Sequence, residues 1–458
     1  MRLVPTLAGA AALVVAAAAL AAADESPRLT LEQLTARALL GPRAQMAASD
    51  SDAARTRGSE VTAALLPRIA ASAFVGPSPR IRCLDPGCDT TDPDGLAWGW
   101  DGAWTGFSLD VVQPIYAYGK AGPARKASRA GVAAGRALED EVAGDAAVDA
   151  ARAYWGLKLA RELRYMLEDG IDQLGAARER LVERVAEASG EVTIQDQQRL
   201  DTILAEARIQ LEDAQQGEEI ALAAVRALAG DDRADIDDAP IDAVGYELGA
   251  EADYLARART RRPQVIAATE GARAAHALAD LEASDYWPML SLVGALSYAS
   301  AQGVDDPPEV IHDDPYHQAR ASLVLKLSWK LEPWTTRTKV ARARAVARKA
   351  SAQADLARVG ASLDQRTAYA EASRARRRVE AATAGEQSAR AWVASLVQAD
   401  AIGTAEAKDL AEAYLGWFQM RARLATAIQQ WNVATVRLER ASGSFHPLDR
   451  LRTGPDAR

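Results

Sequence analysis

Cys83 and Cys88 are the only thiols in the 458-residue chain, and they bracket the turn-forming Pro86-Gly87 in RCLDPGCDTTDPDG. In an oxidising compartment, two cysteines across so short a turn point to a disulfide. A metal site is the alternative, but two thiols with no histidine beside them make a weak ligand set. The four histidines, His276, His312, His317 and His446, are too scattered for a metal centre. His312 and His317 share a loop with Asp313 and Asp314, which permits at most a surface ion. A Gly-rich phosphate loop ending in Lys-Ser/Thr, a GxSxG elbow and a Cys/His pairing are all missing. The many charges are explained by long helical faces. No catalytic constellation, metal or cofactor is expected, and the chain is not read as an enzyme.

The residues sit in a chain that carries an export signal. Arg2 supplies a positive start, residues 3–20 are apolar, and Ala21-Ala22-Ala23 offers a cleavage site before Asp24, so residues 1–23 read as a signal peptide. An uncleaved anchor is the alternative, for which Pro5 and the alanine-rich core are poor spanning material. No cysteine stands at the cleavage site to take a lipid. Hydrophobic residues make up 49% of the chain but aromatics only 5%, so alanine carries much of the apolar count. Alanine forms helix well and fills a core poorly, which favours long, closely packed helices. The net charge of −9 gives no reason to expect a nucleic-acid partner. No later run approaches the roughly 20 apolar residues of a spanning helix, so a membrane form must use strands.

The elements come in duplicate. An alanine-rich helical pattern runs to Pro67 and changes there to the alternating LLPRIAASAFV; YWPMLSLVGAL makes the same change at Pro288. Pro42 and Pro67 stand 25 residues apart, as do Pro263 and Pro288, and the two halves are offset by 221. The first repeat, residues 24–230, is expected to hold helices over about 30–66, 124–189 and 192–229 and strands over about 68–76 and 104–115. Residues 231–250 read as an acidic, turn-rich linker. The second repeat, residues 251–443, is expected to hold helices over about 252–286, 338–400 and 404–441 and strands over about 289–299 and 321–331. Residues 444–458 are a polar tail. Thr30 and Gln33 form a capping box that starts the first helix, which is interrupted near Gly41-Pro42. Gln113-Pro114 closes the second strand. At about 1.5 Å per residue the stretch 124–189 would reach roughly 100 Å, a length that coiled coils hold. Heptad steps run through Leu200, Leu204, Ala207, Leu211 and Ala214, and through Leu410, Tyr414, Trp417, Leu424, Ile428 and Trp431.

The strands are two-faced. Leu323, Leu325, Leu327, Trp329 and Leu331 alternate with Ser322, Lys326, Ser328 and Lys330. About ten such residues suit a barrel wall, apolar outward and polar inward; a soluble sandwich shows the same period. Four strands against a large helical remainder favour the wall. They cannot close alone, since about eight is the smallest barrel, and an open sheet in lipid would leave backbone edges unpaired. Other copies of the chain must complete it, and three copies would supply twelve strands.

At this point the chain resembles the TolC-like outer-membrane efflux proteins, through nearly all of its mature length. The resemblance rests on the helix-to-strand junctions at Pro67 and Pro288, the strand exit QPIYAYGK at 113–120, and the hairpin tips GEVTIQDQQRLDTILAEA from Gly190 and GTAEAKDLAEAYL from Gly403. It implies a mainly α fold with a membrane β part: a homotrimer whose twelve-stranded β-barrel, set in outer-membrane lipid, continues as a long periplasmic α-helical coiled-coil tunnel. It also implies an exit duct of a tripartite efflux or type I secretion system, docking with a periplasmic adaptor (membrane fusion) protein and an inner-membrane transporter. Asp409 and Glu412 match the family's acidic ring at the tunnel tip, with Asp196 at the other tip; a solvated charged face is the plainer alternative. Where the family can pair the latter with a basic residue, this chain has Ala405, which leaves open whether the family's closed-state latch is kept. Lys330 stands where the first half has Pro114, and Trp329 and Trp334 are either interface anchors or corner packing. The competing reading is a soluble periplasmic coiled-coil scaffold or adaptor; an exported hydrolase lacks its residues.

Overall fold

The computed structural model describes residues 28–63, 66–83, 96–116, 119–186, 194–305, 314–402 and 407–444. The signal peptide, the tail from residue 445, Gly190, Gly403, Ala405, His312, His446, Cys88 and the side chain of Cys83 lie outside that set. The disulfide expectation falls there with them. Within the first half, β1 (Arg28–Leu29), α1 (Leu31–Ala38) and α2 (Pro42–Ala63) lead to β2 (Arg68–Cys83) and β3 (Leu96–Tyr116). The helices α3 (Ala121–Ala186) and α4 (Ile194–Ala229) follow. After β4 (Asp235–Ile236), the second half runs α5 (Glu251–Arg261), α6 (Pro263–Ala283), β5 (Met289–Ala301), β6 (Gln318–Ser328), α7 (Pro333–Ala401) and α8 (Ala407–Ala441). Two units emerge: one from residues 1–51, 136–267 and 355–458, the other from 52–135 and 268–354. Among the described residues no helix is long and apolar enough to cross a membrane.

Prolines set the helix breaks in both halves. Thr30 caps α1, its hydroxyl accepting from the Gln33 amide at 3.3 Å while the Gln33 side chain accepts from the Thr30 amide at 3.0 Å. The expected helix over 30–66 is therefore two helices, with Pro42 opening the second, where its missing N–H costs nothing. The stretch 252–286 splits likewise. Arg262 is extended (φ −63°, ψ 128°), the conformation a following proline enforces, and α6 starts at Pro263.

The four long strands form one antiparallel sheet in the order β2-β3-β5-β6. β2 and β3 are longer than the expected 68–76 and 104–115, because alternation continues into the loop composition and pairs Arg80 with Gly99. Pro114 lies inside β3 rather than closing it. A register shift between Pro114 and Tyr116 takes up the missing donor as a bulge. β6 ends at Ser328, three residues short of Leu331, and α7 already begins at Pro333. The linker is not bare either: Arg28 and Leu29 pair in parallel with Asp235 and Ile236.

Alanine packs the helices. In α7 Val340, Ala347, Ala354, Ala361, Ala368, Ala375 and Ala382 recur every seven residues, and all are buried. In α8 Ala427, Ala434 and Ala441 alternate with Trp431 and Leu438 in the same way. The bulkier stripe of Leu410, Tyr414, Trp417, Leu424 and Ile428 is only half-buried. Small residues let the helix axes approach, so the larger ones flank the seam. The first unit also has a conventional core, with Leu34, Trp155, Leu157, Ile236, Trp431, Val436 and Leu438 in one cluster.

Candidate functional site

The acidic residues of interest begin two helices. Asp196 stands in the first turn of α4 and Asp409 in the first turn of α8, where the positive end of the helix dipole favours a carboxylate. Glu412, one turn further along α8, is brought to Arg199 of α4, whose Nη2 lies 2.8 Å from its Oε1. Both side chains are about half exposed (52% and 47%), so the pair adds at most about 1 kcal/mol. Asp409 is exposed and carries no ion pair among the described residues. Arg178 of α3 is ion-paired with Asp201 of α4, tying the adjoining hairpin together. Arg199 was absent from the sequence reading. Its one signal is its place, one turn after Asp196 on the same face.

The helices presenting this cluster are held by large side chains packed over glycine. Phe418 of α8 covers Gly170 of α3, and a Cβ there would sit 3.3 Å from its ring. Trp392 of α7 covers Gly416 at the same distance. Trp417 donates its indole N–H to the buried Glu386 at 3.0 Å, and Arg390 closes the pair at 2.8 Å.

A second cluster locks the inter-repeat linker. Lys158 donates to Asp237 at 2.5 Å and to the Ala239 carbonyl at 2.9 Å, and Tyr154 donates to the same carboxylate at 2.7 Å. Arg161 spreads over Glu218 (3.0 Å), Asp235 (2.6 Å) and Asp238 (2.8 Å). Burial pushes the Asp237 carboxyl up, but the hydrogen bonds from Lys158 and Tyr154 outweigh it and hold it below the usual carboxylate range. From α8, Asn432 accepts from the Val244 amide at 2.9 Å and donates to the Asp242 carbonyl at 2.8 Å. These residues fasten a segment.

The sheet carries the third feature. In register, Ile69, Ala71 and Ala73 stand opposite Val111, Leu109 and Phe107; Phe107 and Leu109 oppose Tyr298 and Leu296. Leu290 and Leu292 oppose Leu327 and Leu325. Opposed residues share a face, so this is one apolar surface across all four strands. It is open to solvent in the single chain, with Leu323 and Val75 71% and 77% exposed. The other face carries the polar residues, with Val112, Val293 and Val324 in register among them: the Ser72 and Ser108 hydroxyls meet at 2.8 Å, Ser291 faces Lys326, and Ser297 faces Arg320. Phe74 crosses that face above Gly106, where any side chain would run into its ring. β2 and β6 each pair with one strand, and among the described residues the far side of each lacks a partner strand, apart from a single bridge from Ile81 to Val304.

Pro67 and Pro288 stand at the helix-to-strand passages, Pro288 immediately before β5. Trp329, past the end of β6, donates its indole N–H to the Tyr286 carbonyl at 3.1 Å while its ring is 55% exposed. It thus both packs the corner and faces outward. His317 is held by Asp314 (3.1 Å) and the Ala301 carbonyl (2.9 Å), and among the described residues no group of His, Cys, Asp and Glu could hold a metal.

Residues 254–444 match the family model described as outer membrane efflux protein. No curated protein matches the sequence. Among solved structures, the chain is similar to the outer-membrane channel OprN, with a TM-score of 0.71 at 20% identity over 90% of each chain. It is also similar to the outer membrane protein VceC from Vibrio cholerae, with a TM-score of 0.71 at 18% identity over 90% of this chain and 96% of that one. The Neisseria gonorrhoeae MtrE outer membrane channel, in its open state, gives 0.70 at 16% identity over 90% and 88%. The fold is that of these channels, and the resemblance to TolC-like outer-membrane efflux proteins holds.

Proposed function

We propose that this TolC-like outer-membrane efflux protein is a passive exit duct for small molecules or proteins. The observation that carries the reading is the sheet, with one continuous apolar face in the open and two edges that lack a partner strand among the described residues. Lipid is the environment in which such a face is stable, and strands from other copies are what such edges need. Three copies give a twelve-stranded barrel, the long helices of α3, α4, α7 and α8 extend it as a periplasmic tunnel, and a periplasmic adaptor with an inner-membrane transporter supplies the energy. The chain is exported by a cleaved signal peptide and does no chemistry of its own.

The tip acids filter and narrow the duct. A ring of Asp409 favours cations, with the charge of Glu412 partly offset by Arg199 and with Asp196 in the opposite turn. Conductance of the purified protein in a planar bilayer tests this. Asp409→Ala is expected to lower cation preference, and Glu412→Ala to lower it further by leaving Arg199 uncompensated. Unchanged selectivity in both would remove the gate. A mature chain that stays soluble in the periplasm would instead favour the scaffold.

A further inference from the structure

The opening turns of α7 break an electrostatic rule. Arg337, Lys339, Arg342, Arg344, Arg348 and Lys349 all lie in its first 17 residues, no acid lies between Pro333 and Ala354, and the first turn has no carboxylate. Cations at a helix N-terminus oppose the dipole, and Arg344 and Arg348 repel at i, i+4. All six are exposed, and none has an ion pair among the described residues. The start of α3, in the same unit, repeats the feature with Arg125, Lys126 and Arg129, likewise exposed and unpaired among the described residues. Acids of this unit that could have answered them, Glu332 before α7 and Asp280 and Glu282 on α6, make no such pair. A protein of net charge −9 has thus placed uncompensated cations where two helices leave the sheet.

Their position identifies what neutralises them. α7 begins five residues after β6 ends, and α3 five after β3 ends. At about 1.5 Å per residue, Arg337, Lys339 and Arg342 lie roughly 6–14 Å down the helix from Pro333, as do Arg125, Lys126 and Arg129 from the start of α3. Exposed aromatic residues stand at the same strand ends: Tyr116 closes β3, Tyr286 and Trp287 precede β5, and Trp329 and Trp334, the latter 80% exposed, follow β6. Such rings mark the boundary between hydrocarbon and headgroups. On the helical wheel Trp334 falls between two basic stripes, Arg337-Arg344-Arg348 and Lys339-Arg342-Lys349, and Thr336, Val340 and Ala347 are buried away from it.

We infer that the first turns of α7, seconded by those of α3, form a collar that binds the headgroups of anionic phospholipids in the leaflet on the helical side of the barrel. The proposal rests on the barrel reading and adds a lipid specificity to it. Each cation gains from a negative surface only near it, within about a screening length of 8 Å, so Arg337, Lys339 and Arg342 carry most of the effect.

The test is native mass spectrometry of the detergent-extracted full chain, offered phosphatidylglycerol or phosphatidylcholine of equal chain length. Phosphatidylglycerol is expected to be retained in excess, and the triple variant Arg337→Gln, Lys339→Gln, Arg342→Gln to weaken it by roughly 100-fold, with Arg125→Gln weakening it less. Equal retention of the two lipids by the wild-type chain overturns the proposal without any variant. Unchanged retention in the triple variant also overturns it. A triple variant that dissociates into single chains before lipid is added assigns the cations to acids of a neighbouring copy and overturns it too. Failure of the barrel reading is distinguishable, since the wild-type chain would then need no detergent.

Discussion

The helical unit and the sheet treat their polar and apolar groups in opposite ways. In the helical unit, Asp235, Asp237 and Asp238 of the linker are met by side chains of α3, Asp237 by Lys158 and Tyr154, and the core around Trp155 and Leu438 is closed. The sheet is inside out. Its leucines face outward, its serines and its Lys326 face the other way, and its edges lack a partner strand among the described residues. A unit with a closed core can be folded by its own chain. A sheet with a bare apolar face is unfinished until lipid and neighbouring strands cover it, which locates the dependence on surroundings in the strands.

The largest effect should come from the sheet. Leu325, opposite Leu292 in mid-strand, is 61% exposed. Replacing it by Arg costs about 2–4 kcal/mol if that face meets lipid, against about 0.5 kcal/mol or less if it meets water. Leu325→Arg should therefore deplete the chain from the outer-membrane fraction; normal recovery would erase the contrast between the two regions. Next comes Arg161→Met, which strands Asp235 and Asp238 and leaves Glu218 to Arg164 alone. The expected loss is about 2–3 kcal/mol, below that of a fully buried network because Asp238 is half exposed. It should appear in the denaturant midpoint of the helical transition while membrane recovery stays normal. A midpoint that does not move would mean that the linker is not fastened there.

The smallest effect is a pH dependence. Because the folded Asp237 carboxyl is held below its ordinary value of 3.8, its contribution is present above that value and is lost as pH falls through the lower folded one. Asp237→Asn should cost under about 1 kcal/mol at pH 7, given its 42% exposure, and should flatten the stability loss below about pH 4. An acid limb identical in the variant would show that Lys158 gains nothing from the pairing.

Much of the fold was legible because it is local or periodic. Pro67 and Pro288 end helices for a reason contained in one residue, Thr30 and Gln33 cap across three, and the alternation from Leu323 to Leu327 names a face. The missed features have other causes. Pro114 was read as a stop because an isolated proline gives no sign that a bulge will absorb it. The strand extension through Arg80 and Gly99 was hidden by glycine and proline in a loop-like composition. Arg199 went unnoticed because its partner Glu412 lies 213 residues away. Long charged side chains show no period that would announce such a pair.

By itself, then, the sequence determined the duplicated helix-to-strand plan, the face each strand turns outward, and the alanine content that lets long helices lie close. These follow from backbone sterics and the two side-chain periods, which act within a few residues. Only the tertiary structure decided which acid meets which base. It also decided that the linker is bolted to α3 and α8, and that the six cations in the first 17 residues of α7 meet no acid among the described residues. Those are matters of distance between segments far apart in the sequence, and a Coulomb interaction or hydrogen bond has a value only once that distance is fixed.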